Sequence, residues 1–83
     1  MRTIQKKIRF EYLTEIISGR KNFDVRKDDF DVDVGDVLVL SEYIEGFGFT
    51  GLKIQRIIIH ITRTKDVYPD NDGFVIMGFN EKL

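Results

Sequence analysis

FEYLTEIISGRKNFDVRKDD, residues 10–29, runs from a helical stripe through a glycine stop into a charged strand. Phe10, Leu13, Ile16 and Ile17 fall at i, i+3, i+6 and i+7, the spacing of one helix face. Glu11 in the first turn suits the positive end of the helix dipole. Gly19 just past the stripe, with Arg20 and Lys21 beside it, reads as a C-terminal stop with cations near the negative end. The spacing predicts a helix over residues 10–18. The period then changes to two: Phe23 and Val25 share one face, and Asn22, Asp24 and Arg26 the other. The apolar pair is expected in the core, and the polar three on an outer or cavity-facing surface.

Upstream, Ile4 to Ile8 alternates loosely enough for a short strand. Downstream, residues 28–34 alternate Asp with Phe30, Val32 and Val34, which reads as an edge segment turning its acids to water. Gly35-Asp36 is a turn into the strand VLVLSEY, residues 37–43. A glycine-rich connection, EGFGFTG at 45–51, leads to LKIQRIIIHITRT at 52–64, the longest strand by its β-branched density. YPDNDG at 68–73 is a turn, and FVIMGF at 74–79 the closing strand. The order β, α, β, β, β, β predicts an α+β, mainly β domain over residues 1–83. One helix against about five strands suggests a small curled sheet or barrel plugged by the helix, because closure removes exposed edges.

With 83 residues, nearly every apolar run must contribute to one core. The absence of cysteine excludes disulfides, thiolate catalysis and cysteine zinc sites, and suits a reducing, cytoplasmic setting. The start, MRTIQKKIRF, lacks an apolar run of signal-peptide length, and Ile57 to Ile59 is too short to span a bilayer, so no membrane partner is expected. The net charge of -1 conceals blocks of alternating sign. Residues 1–27 carry eight Lys or Arg against three acids, whereas 28–46 carry seven acids and no base. Residues 47–65 are again basic and 66–83 acidic. The N-terminal block leans toward nucleic acid; the whole chain does not.

Gly46 to Gly51, GFGFTG, matches a dinucleotide fingerprint in letters, but a strand follows where that fingerprint needs a helix. Its Phe47 and Phe49 are expected to fold back over the barrel end rather than stand ready to stack on bases. Asp29, Asp31 and Asp33 take the first positions of a calcium loop, but Val34 and Leu40 stand where it needs Gly and Glu, so no metal site is expected. His60, the lone histidine, lies on the face of Ile58 and Thr62 and is read as a packing residue. Ser18 and Ser41 lack any nucleophile context. No residue cluster implies a cofactor.

The chemistry of the opening stretch is stronger. Lys21 offers a point charge and Arg26 a planar fork of donors, both suited to phosphate or a base edge. Asp24 between them can orient Arg26 or accept from a ligand amine. The ordinary alternative is an i, i+2 ion pair on an exposed strand face.

Gly19-x-Lys21-x-x-Asp24-x-Arg26 resembles the G-x-K-x-x-[E/D]-x-R signature of the ASCH domains (activating signal cointegrator homology), which are similar to PUA domains and form small β-barrels. FEYLTEIISGRKNFDVRKDD looks like the helix and signature strand of a short bacterial and phage branch of that family. VGDVLVLSEY, residues 34–43, looks like its V-G-D turn and next strand, and Thr50-Gly51 like a later turn. The likeness covers residues 4–79. Ile4-Gln5-Lys6-Lys7 stands where the branch opens with His-x-Leu-Lys, and Asp28-Asp29-Phe30 where it has Asn-Asp-Arg. Relatives that hydrolyse acetylated cytidine carry a threonine where Asp24 stands, which argues against that amidohydrolase chemistry here.

The resemblance implies a PUA-like barrel with a cleft between barrel and helix and a noncatalytic role in binding RNA or a nucleotide-like small molecule. Lys21 and Arg26 would engage phosphate or a base acceptor, Asp24 would hold Arg26 or read an amine, and Asn22 would add amide hydrogen bonds. Arg20 and Lys27 would steer the ligand. One alternative is a hydrolase acting on RNA or a modified nucleoside, with Lys21 as general acid or base and Asp24 or Glu42 as its carboxylate partner. Another is a protein-interaction accessory factor that offers the acidic segment 28–36 to a basic partner. The direction in which that segment folds, toward Lys21 and Arg26 or away, discriminates among them.

Overall fold

A computed structural model describes residues 1–69 and 73–80. Its elements are β1 (Thr3–Arg9), α1 (Phe10–Ile17), β2 (Phe23–Lys27), β3 (Val37–Ile44), β4 (Gly48–Arg63), a single 3-10 turn (Thr64–Asp66) and β5 (Phe74–Phe79). The expected order of elements is the observed one. The turn expected at 68–73 falls partly on residues 70–72, outside the described residues.

Helix α1 ends as its residues dictate. Gly19 has a φ of 84°, and its N–H donates to the Ile16 carbonyl at 3.1 Å while the Arg20 N–H donates to that of Glu15 at 3.1 Å. This Schellman pattern satisfies carbonyls that the last turn leaves open, and a left-handed residue is required to make it. Leu13 and Ile16 are buried against the sheet, whereas Phe10 and Ile17 at the stripe's margins are half exposed.

The five strands form one mixed sheet in the order β1-β3-β4-β5-β2. β1 runs parallel to β3, and the other neighbours are antiparallel. β4 is 16 residues long because it serves two partners: Gly48 to Ile57 pairs with β3, and Ile58 to Arg63 with β5. A register shift between Ile58 and His60 marks the handover. The core is formed by Ile8, Leu13, Ile16, Val32, Leu38, Leu40, Ile58, Val75, Met77 and Phe79.

Several expectations change. The sheet is not a closed barrel: β1 and β2 are its two edges and do not pair, and β5 is an interior strand rather than a closing one. α1, the link between the two edges, packs on β1 and β3 and so stands on one side of the gap. Phe23 and Val25 are exposed, not core, while Asp24 is 4% exposed. Residues 28–34 form no strand, because Val32 is drawn into the core and the Arg63 guanidinium donates to its carbonyl at 3.1 Å. His60 is exposed and does not share the burial of Ile58, since the register shift separates their faces. The expected connection 45–51 is mostly strand, with only a tight turn about Glu45 to Phe47.

Candidate functional site

Because β1 and β2 stay apart, a cleft of about 520 Å³ opens between them. β2 supplies Asp24 and Arg26, whose cross-strand partners Met77 and Val75 are fully buried. That register turns the two charged side chains inward and leaves Phe23 and Val25 exposed, Val25 at the border of the cleft. Arg26 Nε donates to Asp24 Oδ2 at 2.6 Å, with the side chains 22% and 6% exposed. A carboxylate this buried requires a partner, and the i, i+2 guanidinium provides it. Arg26 lines this cleft, whose volume is of the size that holds small ligands.

Lys21, in the link between α1 and β2, also lines the cleft. Its Nζ lies 4.6 Å from the Tyr12 ring centroid and 5.3 Å from that of Phe23. On the facing edge, Lys7 Nζ lies 4.5 Å from the centroid of Tyr43. Aromatic faces hold both ammonium groups, and among the described residues neither makes an ion pair. Arg9 completes the cationic lining and bridges Glu11 at 3.1 Å; Glu45 is the second lining carboxylate.

Three of the six expected binding residues, Lys21, Asp24 and Arg26, therefore share one cleft. Asn22, Arg20 and Lys27 do not line it. Arg20 turns back onto the helix, its Nε donating to Glu15 Oε2 at 2.7 Å. That hydrogen bond raises the Arg20 pKa and lowers that of Glu15. Asn22 and Lys27 are exposed, and the Asn22 carbonyl accepts from Phe79 N–H at 3.0 Å. Glu42 also lies outside the lining and accepts from Thr50 Oγ1 at 2.7 Å, so of the two expected carboxylate partners only Asp24 shares the cleft with Lys21.

The acidic segment folds away from the cleft. Asp28, Asp29 and Asp31 border a separate groove with Phe30 and Arg63, and Asp28 is ion-paired with Arg63. Asp33 and Asp36 are bridged by Arg2. Asp36 also accepts from the backbone N–H groups of Arg2 and Asp33 at 2.9 and 2.8 Å, bonds that hold its carboxyl below the ordinary value of 3.8.

Sequence reasoning missed Lys7, Arg9, Tyr12 and Tyr43. The alternation Lys7-Ile8-Arg9 was a signal, since a period of two sets both cations opposite the buried Ile8. Nothing local indicated that this edge would face β2.

Residues 4–79 match a family model described as a domain of unknown function (DUF3850). An uncharacterized 12.9 kDa protein in the GpA 3' region of Escherichia phage P2 is 33% identical over 64 residues, 77% of this chain. The matched stretch spans 58% of that relative's length. With the family model matched across the helix, all five strands and the cleft, the chain belongs to the DUF3850 family.

Proposed function

We propose that this chain is a noncatalytic module that binds RNA or a nucleotide-like ligand between the free edges of β1 and β2, on a PUA-like scaffold of the ASCH kind. The observation that carries the reading is the sign of the cleft. Lys7, Arg9, Lys21 and Arg26 line it against Asp24 and Glu45, while the acidic segment borders another groove. Such a site attracts anions. Lys7 and Lys21, which make no ion pair among the described residues, take phosphate, and the Arg26–Asp24 pair presents donors beside an acceptor to a base edge. Tyr12 and Tyr43 add ring faces for stacking. Asn22 and Lys27 act from outside the cleft, Lys27 by steering.

Fluorescence anisotropy of short single-stranded and hairpin RNAs at low and moderate salt tests this. The expected result is saturable binding that weakens with salt. It should vanish in Lys21→Ala/Arg26→Ala and in Lys7→Ala/Lys21→Ala, the second of which breaks no ion pair among the described residues. Absence of binding at every salt concentration, or unchanged affinity in both folded variants, would overturn the proposal.

A further inference from the structure

The hairpin joining β3 to β4 carries apolar surface that the fold does not use. Phe47 is 74% exposed and Phe49 63%, although rings of this size are ordinarily covered. The expectation that they fold back over the end of the sheet fails for Phe47 and holds only in part for Phe49. Phe49 meets Tyr43 edge to face, with centroids 5.2 Å apart and planes at 72°. Tyr43 in turn lines the cleft and carries Lys7 Nζ over its ring. Aromatic contacts thus lead from the cleft through Tyr43 to Phe49, with the exposed Phe47 two residues before it at the tip.

The backbone favours this display. Gly46 and Gly48, flanking Phe47, have φ values of 81° and 107°, which swing the chain through a turn that other residues rarely make. The tip is held from below, where Thr50 Oγ1 donates to Glu42 and so ties β4 to β3. Lys53, exposed on β4 opposite Ser41, adds a cation along the hairpin.

We infer that the β3–β4 hairpin is a stacking platform, and that the ligand is a single-stranded RNA segment running from the cleft over Phe49 to Phe47. The inference rests on the RNA reading of the cleft and extends it, because a free nucleotide has nothing to place on the tip. A duplex, whose internal bases are already stacked on one another, offers a ring face only at its ends. Stacking on an aromatic side chain tolerates any base, so the platform contributes affinity and length dependence rather than sequence choice.

The test compares a dinucleotide with a single-stranded RNA of roughly eight nucleotides, the scale of single-strand sites. Both are titrated against the wild type, Phe47→Ala/Phe49→Ala, Phe47→Leu/Phe49→Leu and Lys7→Ala/Lys21→Ala. The exposed phenylalanines permit substitution without unfolding, which thermal melts verify. The alanine and leucine variants should each bind the longer RNA about tenfold more weakly than wild type, with dinucleotide affinity unchanged. The lysine variant should lose both ligands. If the dinucleotide binds in a Lys7- and Lys21-dependent way and neither hairpin variant weakens the longer RNA, the platform is wrong and the cleft reading stands. Full affinity in the leucine variant alone would reduce the hairpin to a nonspecific apolar contact and overturn stacking. If wild type binds neither RNA, the cleft reading falls and the platform with it.

Discussion

At Asp24, a nearly buried carboxylate sits 2.6 Å from the Arg26 guanidinium, two residues along the same edge strand. Removing one partner of such a pair leaves a buried charge without compensation, which costs about 3–5 kcal/mol. Arg26→Ala should therefore move the urea midpoint down sharply, and Asp24→Leu/Arg26→Met should recover most of the loss. An unchanged midpoint in Arg26→Ala would mean that water already solvates the carboxylate. Asp36 makes a different contribution. Its folded-state pKa is lowered, so the stability it confers is present above the ordinary value of 3.8 and is lost as pH falls through the folded value. Urea midpoints measured from roughly pH 5 down to pH 3 should fall less steeply for Asp36→Asn than for wild type. Both carboxylates were visible as letters in the sequence. That Asp24 would be buried was not, because an alternating strand has two faces and hydropathy assigns the apolar one inward.

α1 was legible almost to the residue, since Leu13 and Ile16 lie in its stripe and Gly19 ends it. Gly19→Ala forces a side chain into a left-handed position and should lower stability by roughly 1–2 kcal/mol, read as a reduced urea midpoint with an unchanged slope. β3 and β5 were equally clear from β-branched and apolar density. β2 was found as a strand but with its faces inverted: the side expected to be core is open to solvent, and the charged side faces fully buried Val75 and Met77. Residues 28–34 misled in the opposite direction. Their alternation is that of a strand, yet no edge receives them, and Val32 together with the Arg63 contacts holds them as a loop. Long-range partners decided both cases, and a window of ten residues does not contain them.

For the molecule as a whole, the decisive feature is that β1 and β2 remain apart. Hydrogen exchange should read this directly. Amides of β4 and β5 that pair within the sheet should exchange slowly, and those of β2 facing the cleft should exchange quickly, because an edge leaves half its backbone groups to solvent. Uniform protection of β1 and β2 would indicate a closed barrel instead. The sequence by itself determined the element order, the helix with its stop, the mainly β class and the charge blocks, because each depends on neighbours within a few positions. The tertiary structure alone decided that the sheet stays open and that Lys7 and Arg9 line the same cleft as Lys21 and Arg26. It also decided that the acids of 28–36 turn elsewhere. These outcomes depend on which edges meet, and pairing between segments far apart in the chain is set by the packing of the whole core rather than by any local pattern.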